Sequence, residues 1–333
     1  MNSLKNKNVL VTGADGFIGS HLVDKLLQIG ANVKALVYYN SLGSNGWLDF
    51  SYKNFPKNLD IIQGDIRDVN RVNQAVEGIE IVFHLSSLIT IPYSYYAYQS
   101  YIDTNITGLS HLLTACKRYD VKKIIHTSTS EVYGSALYTP IDESHPLQGQ
   151  SPYSATKIAA DFIADSFFRS FDLPIVTARP FNTYGPRQSI RAVIPSIIIQ
   201  LLTKKNNEQL EIGDTSPIRD FNYVADTVEG FISLANAEDI YGKVFNIGSG
   251  KEISIYDTCK KLFDISNKNL KIVEDPKRIR PKKSEVNRLC CDMSLINKTV
   301  GWKPEVDIDQ GLKITYDWFS KNFNQYPNNT FLI

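Results

Sequence analysis

The chain has 333 residues, of which 43% are hydrophobic and 21% charged, with a net charge of +1 at pH 7. Such a chain can bury a sizeable core as one large or two closely packed domains, which excludes wholesale disorder. Its near-neutral balance provides no bulk field that would select nucleic acid or a membrane surface, so an anionic ligand must be held by local cations. The four cysteines, Cys116, Cys259, Cys290 and Cys291, have neither zinc-site spacing nor the density of a disulfide scaffold. Cys290 and Cys291 read as strand residues in a reducing compartment. The start, Met1 to Asn8, is polar and lysine-bearing, and no apolar run reaches the roughly 18 residues of a membrane span. The expectation is a cytoplasmic protein.

In chain order, short runs rich in valine and isoleucine come at Val9–Thr12, Val33–Val37, Ile61–Ile62, Ile81–Leu85, Ile124–Thr127 and Ile175–Ala178. They lack polar alternation, as strands buried on both faces do. Segments with helical spacing lie between them, among them His21–Gln28, Gly108–Lys117 and Thr156–Ser170. The alternation predicts an α/β fold, a Rossmann-type doubly wound parallel sheet. Beyond about Arg179 prolines and glycines are denser and the elements shorter. The strands Leu210–Ile212 and Val244–Ile247 look isolated, among helices near Asp226–Leu234, Ile255–Phe263 and Leu312–Phe319. The expected division is a cofactor domain over 1–180 and a smaller mixed α/β region over 181–333, some of whose segments return to the sheet. No internal repeat is evident. The tyrosine-rich stretch Tyr93–Tyr101 reads either as a packed or interface loop or as a wall of a pocket, since it follows a strand end.

The first strand runs into Gly13-Ala14-Asp15-Gly16-Phe17-Ile18-Gly19 and then a helix. Glycines permit the tight turn and the close approach of a diphosphate, and a helix N-terminus offers free N–H groups and a positive dipole to the anion. The G-x-x-G-x-x-G spacing is weak as a bare pattern and strong in this strand–loop–helix context. The acid that normally ends the second strand and binds a ribose hydroxyl is missing, because that strand ends Leu36-Val37-Tyr38-Tyr39-Asn40. No arginine marks a 2′-phosphate site either, so NAD and NADP remain alternatives. Asp65 and Ile66 follow the third strand where adenine would lie. Leu85, Ser86 and Ser87 follow the fourth, where the middle of the cofactor would pass.

Tyr153 and Lys157 form a Y-x-x-x-K pair, which on a helix shares one face. Tyr119/Lys123 and Tyr256/Lys260 match the same pattern. Only Tyr153 follows the fifth strand by a plausible loop, behind Ser151-Pro152 as a helix start. In that position the lysine would lower the phenol's pKa and hold the nicotinamide ribose, making Tyr153 a usable base. The fifth strand ends in Thr127-Ser128-Thr129-Ser130-Glu131-Val132-Tyr133-Gly134. Polar, proton-handling residues at a strand's carboxyl end face the ligand crevice in such sheets.

Together these segments resemble an extended short-chain dehydrogenase/reductase of the NAD-dependent epimerase/dehydratase family. The resemblance also covers 179–186, 219–226 and Arg280-Pro281 to Ser284-Glu285-Val286. It implies that Asn182, Arg219 and Arg280 grip a nucleotide sugar, for which an arginine fork suits a diphosphate. Within the family, Thr129-Ser130-Glu131 is most similar to the GDP-mannose 4,6-dehydratase pattern. dTDP-glucose dehydratases carry Thr-Asp-Glu there, and simple 4-epimerases usually have a small or neutral residue at the Glu131 position. The run around Tyr38-Tyr39-Asn40-Ser41 is similar to dehydratases of the legionaminic-acid pathway that act on GDP-N-acetylglucosamine. The resemblance implies a catalytic set of Thr129, Ser130, Glu131, Tyr153 and Lys157, a bound NAD or NADP, a nucleotide-sugar substrate and a homodimer.

Three rivals stand beside this reading. A UDP-glucuronate-type decarboxylase shares Thr-Ser-Glu but needs an added arginine, and a 4-epimerase needs only hydride removal and return. A non-catalytic NAD(P) sensor would have no use for Glu131, Tyr153 and Lys157. No motif points to nucleic acid. The five histidines, His21, His84, His111, His126 and His145, have no i, i+4 zinc spacing, so no metal is expected. His84 and His126 read as strand-end residues.

Overall fold

The computed structural model describes residues 4–326; Met1–Ser3 of the polar start and residues 327–333 of the expected C-terminal region lie outside it. A seven-stranded, all-parallel sheet forms the centre. Six of its strands are β1 (Asn8–Thr12), β2 (Asn32–Tyr38), β3 (Leu59–Gly64), β4 (Ile81–His84), β5 (Lys123–Thr127) and β6 (Ile175–Pro180). The seventh, Val244–Ile247, lies outside β6, giving the spatial order seventh–β6–β5–β4–β1–β2–β3. The order reverses between β1 and β4, which opens a crevice at their carboxyl ends. Two apolar cores, one on each face, explain why the strands read as unbroken apolar runs.

The sequence reading of Val244–Ile247 as isolated is corrected by its register against β6, Val244 opposite Thr177 and Ile247 opposite Pro180. Leu210–Ile212 is not isolated either: Gln209–Ile212 pairs in parallel with Lys271–Glu274. Parallel partners are distant in the chain, so no local periodicity announces them. Cys290 and Cys291 are buried free thiols. Neither lies in a strand, and Cys291 makes only a single bridge to Ile141.

The short pairs Asn182–Tyr184 with Phe221–Tyr223, and Ile218–Arg219 with Ile253–Ser254, tie the segments of the C-terminal part to one another. A third apolar core, with Ile194, Ile197, Leu210 and Phe319 at its centre, supports them. The Tyr93–Tyr101 stretch spans two short helices, Ile91–Ser94 and Tyr98–Tyr101. A π-helical turn, Ile102–Thr107, then leads into helix Gly108–Arg118. Among the described residues, no helix is long and apolar enough to cross a membrane, and no group of three His, Cys, Asp or Glu side chains could hold a metal ion.

Candidate active site

The glycine loop between β1 and helix α1 (Phe17–Ile29) is built for close approach. Gly13 has φ +67°, and a Cβ there would lie 2.9 Å from the Ser86 backbone nitrogen; at Gly19 it would lie 2.1 Å from the Gly13 carbonyl oxygen. Helix α1 starts at Gly16 with no side-chain cap, so its first N–H groups remain free for an anion. Thr12 ties the neighbouring strand end to this loop. Its hydroxyl oxygen accepts from the Leu85 and Ser86 N–H groups, both at 3.1 Å, and lies 2.9 Å from His84 Nδ1. Ser87 donates to Asn105 Oδ1, which also accepts from Leu88 N. Asn105 sits in the π-helical turn, a distortion that is frequent at functional sites. These residues fit a dinucleotide: the cradle is one that any side chain would fill. Asp65 is half-buried and paired with Arg67, whereas the Ile66 side chain is core, packed under Gly108.

Helix Pro152–Phe171 begins as its sequence dictates. Ser151 and Ser154 form a reciprocal capping box with Pro152 in the first turn. Tyr153, Lys157 and Asp161 follow at spacings of four, all buried. Tyr153 packs edge-on to Tyr101, with ring centres 6.2 Å apart. Burial pushes its phenol above its ordinary value; a hydrogen bond from Thr129 acts the other way, and the charge of Glu131 adds to the rise. The expectation that Lys157 lowers this phenol's pKa is not met here. The ammonium donates instead to the Thr127 carbonyl at 2.7 Å.

Burial lowers the Lys157 pKa to about 8, while Asp161's charge works to raise it. Asp161 is the centre of a buried network. It accepts from Ser128 Oγ at 2.9 Å and from Arg179 Nε and Nη2 at 3.0 and 2.9 Å, and His126 Nε2 lies 3.2 Å away. Burial pushes its carboxyl up, yet these partners hold it below the ordinary value. Arg179 also donates to Tyr133, whose hydroxyl donates to Asn246 Oδ1 on the seventh strand. Burial lowers the pKa of both His84 and His126, which stack at 5.8 Å, so both are neutral at pH 7. The charges left in this interior are Lys157 and Arg179 against the one carboxylate of Asp161.

The turn after β5 carries Thr129, Ser130 and Glu131. Thr129 caps the 3₁₀ turn Ser130–Tyr133, its hydroxyl accepting from Glu131 N at 3.2 Å. Ser130 is buried and Glu131 half-buried. Because Tyr133 belongs to this turn, the network from Asp161 through Arg179 to Asn246 anchors Glu131 to two strands of the sheet and to helix Pro152–Phe171.

Across the crevice, Arg219 and Arg280 converge on one carboxylate, with Nη–Oε1 distances to Glu285 of 2.8 and 3.7 Å. The Asn182 Oδ1 and Arg280 Nη1 atoms are buried and have no hydrogen-bond partner. Tyr95 crosses from the β4 side to meet Ser284 at 2.6 Å. The sequence reading missed Asp161 and Asn105 as site residues, and it left Tyr95 and Tyr101 inside a stretch read either as a packed or interface loop or as a pocket wall. Of the two missed, only Asp161 left a signal, its spacing of four from Lys157.

A sheet that reverses order above a glycine cradle, with a buried tyrosine–lysine helix beside it, defines a dinucleotide-dependent enzyme of the short-chain dehydrogenase/reductase type. The family model for GDP-mannose 4,6 dehydratase matches residues 10–315, and the chain belongs to that family, within the NAD-dependent epimerases and dehydratases. It is 31% identical to the mouse dTDP-D-glucose 4,6-dehydratase, over 97% of this chain and 91% of that protein. It is also 31% identical to a putative UDP-glucose 4-epimerase of Methanocaldococcus jannaschii, over 94% and 99%. The structure of a Streptomyces venezuelae dTDP-glucose 4,6-dehydratase double mutant with NAD bound is similar at a TM-score of 0.86 and 26% identity, covering 96% of this chain and 98% of that one. A Bacillus cereus UDP-glucuronic acid 4-epimerase, solved with UDP-glucuronic acid and NAD, has the same TM-score at 29% identity, covering 94% and 99%. The chain is thus an NAD(P)-dependent enzyme of the nucleotide-sugar dehydratase and epimerase family.

Proposed function

We propose that this enzyme is a nucleotide-sugar 4,6-dehydratase that converts a GDP-hexose, GDP-N-acetylglucosamine first among candidates, into its 4-keto-6-deoxy derivative. The observation that carries this reading is Glu131: a carboxylate on a tethered turn, close enough to Tyr153 for its charge to act on the phenol. A 4-epimerase needs no second acid–base group beside its tyrosine. The dinucleotide, when bound, supplies a hydride acceptor for C4 and returns the hydride at C6, so no net oxidation results.

The chain's own residues do the rest. Tyr153, with Thr129 donating to its oxygen, takes the C4 hydroxyl proton. Lys157 holds the nicotinamide ribose while its contact with Thr127 fixes its reach. Glu131 removes the C5 proton that the new ketone acidifies. Ser130 stands where related dehydratases carry an acid, so Glu131 also passes that proton to the departing C6 hydroxyl, which leaves as water, and as hydride returns to C6 a proton equivalent to the one Tyr153 took returns to C5. On the facing wall, Arg219 and Arg280 exchange Glu285 for the diphosphate, and Asn182 Oδ1 finds its missing donor on the nucleotide sugar. The C-terminal region over 181–333 is accordingly the substrate-binding part, with Val244–Ile247 serving the sheet. The GDP-sugar and the setting, a cytoplasmic homodimer in cell-surface legionaminic-acid synthesis, rest on the sequence resemblance.

Incubating the purified enzyme with GDP-, UDP- and dTDP-sugars tests the proposal by mass spectrometry. A product lighter by one water, formed fastest from the GDP-sugar, is expected. Epimer formation without loss of water from any of them contradicts it.

A further inference from the structure

The second strand lacks the terminal acid that usually binds the adenosine ribose, and the structure puts a carboxylate at that place from another element. Asp15, in the glycine loop, reaches the carboxyl end of β2, where its Oδ2 accepts from Tyr38 N at 3.4 Å. Tyr38 is the last residue of β2, the position where the ribose-binding acid ordinarily stands. Burial pushes the Asp15 carboxyl above its ordinary value, and two backbone N–H groups, its own and that of Tyr38, act the other way. A carboxylate has about four acceptor sites, so two such donors leave capacity for a vicinal diol.

The position is fixed from behind as well. Trp47 N donates to the Asp15 carbonyl at 3.1 Å, and at Gly46, with φ +59°, a Cβ would fall 2.5 Å from that carbonyl oxygen. The intervening turn is held by Asn40, whose Oδ1 accepts from Leu42 N and Ser44 N and whose Nδ2 donates to Tyr38 O and Ser44 O. The charge around this end of the sheet is hostile to an added phosphate. Arg67 is engaged by Asp65, Nε lying 2.9 and 3.0 Å from the two carboxylate oxygens. The two share a cavity of about 420 Å³ with Asp68, Asp103 and Thr107.

We propose that Asp15 performs the ribose-binding task of the missing β2 acid, accepting from the adenosine 2′- and 3′-hydroxyls, and so makes the enzyme specific for NAD over NADP. A 2′-phosphate would meet the Asp15 carboxylate directly, and Arg67 could answer it only by giving up Asp65. The inference concerns the cofactor site and is independent of which sugar reaction follows.

Direct titration of NAD and of NADP into the full chain, freed of bound dinucleotide, reads this without any turnover. The wild type should bind NAD at least about tenfold more tightly than NADP, the size expected for hydrogen bonds to a charged group. Asp15→Asn keeps the size and removes the charge, and Asp15→Ser shortens the side chain; each should weaken NAD and bring the ratio to within about threefold. Circular dichroism confirms that each variant folds, and the wild-type ratio stands as a test even if one does not. Equal or tighter binding of NADP by the wild type, or an unchanged ratio in a folded Asp15 variant, overturns the proposal.

Discussion

The two walls of the crevice differ in how their charged groups are engaged, while His126 Nδ1 and Thr127 Oγ1 on the sheet side are also buried without a partner. On the sheet side the buried ions are all engaged: Lys157 with Thr127, and Asp161 with Arg179, Ser128 and His126. On the C-terminal side Asn182 Oδ1 and Arg280 Nη1 are buried without hydrogen bonds, and two arginines share one glutamate. A buried polar atom without a partner is costly, and natural proteins retain few of them. The difference teaches that the sheet wall is organised before any ligand arrives, as catalysis by fixed charges requires. The facing wall is completed by its ligand.

Substitutions on each wall should therefore fail in different ways. The largest effect is expected from Asp161→Asn. Removing one partner of a buried pair strands Arg179 and should cost about 3–5 kcal/mol, read by denaturant unfolding. The Asp161 carboxyl is held below its ordinary value, so the stability it contributes is present above its unfolded pKa and lost as pH falls through the folded one.

The pH profile gives the second test. Lys157, with its pKa lowered to about 8, is an ammonium below that pH and a neutral amine above it. Activity should hold up to about pH 8 and fall beyond it. Without the carboxylate of Asp161 the amine loses its proton more readily, so in Asp161→Asn the basic limb moves to lower pH. A purely structural Asp161 would leave the limb in place.

Asn182→Ala, on the other wall, should raise KM about tenfold with unfolding stability unchanged or slightly improved, because an unsatisfied buried group is removed. If it destabilises the fold as Asp161→Asn does, the contrast between the walls is lost. Tyr95→Phe should do least. It deletes one hydroxyl contact between the walls, the bond to Ser284, and should raise KM by no more than about fivefold, the worth of one neutral hydrogen bond.

The same contrast decides what was legible in the sequence. The glycine loop, the Thr129–Glu131 turn and the Tyr153/Lys157 helix each lie in one stretch of chain, where strand, loop and helix signals fix their surroundings. The parallel sheet followed from its apolar runs. Val244–Ile247 did not, because a parallel edge strand finds its partner through the tertiary fold and its short apolar run is ambiguous. The buried network was likewise hidden: Asp161 meets Arg179 18 residues away and His126 35 away. Asn105 acts through a π-helical turn, for which no pattern exists in the sequence. The missing β2 acid was legible as an absence, but that Asp15 reaches the same place depended on the folded loop.

The central claim is that Glu131 turns a shared oxidation site into a dehydratase, and Glu131→Gln tests it most directly. With the preferred nucleotide sugar, the variant should form the product lighter by one water at least about a hundredfold more slowly, as loss of a general acid–base group entails. Slow oxidation at C4 should persist, visible as accumulating reduced dinucleotide. Dehydration by Glu131→Gln at the wild-type rate would contradict the account.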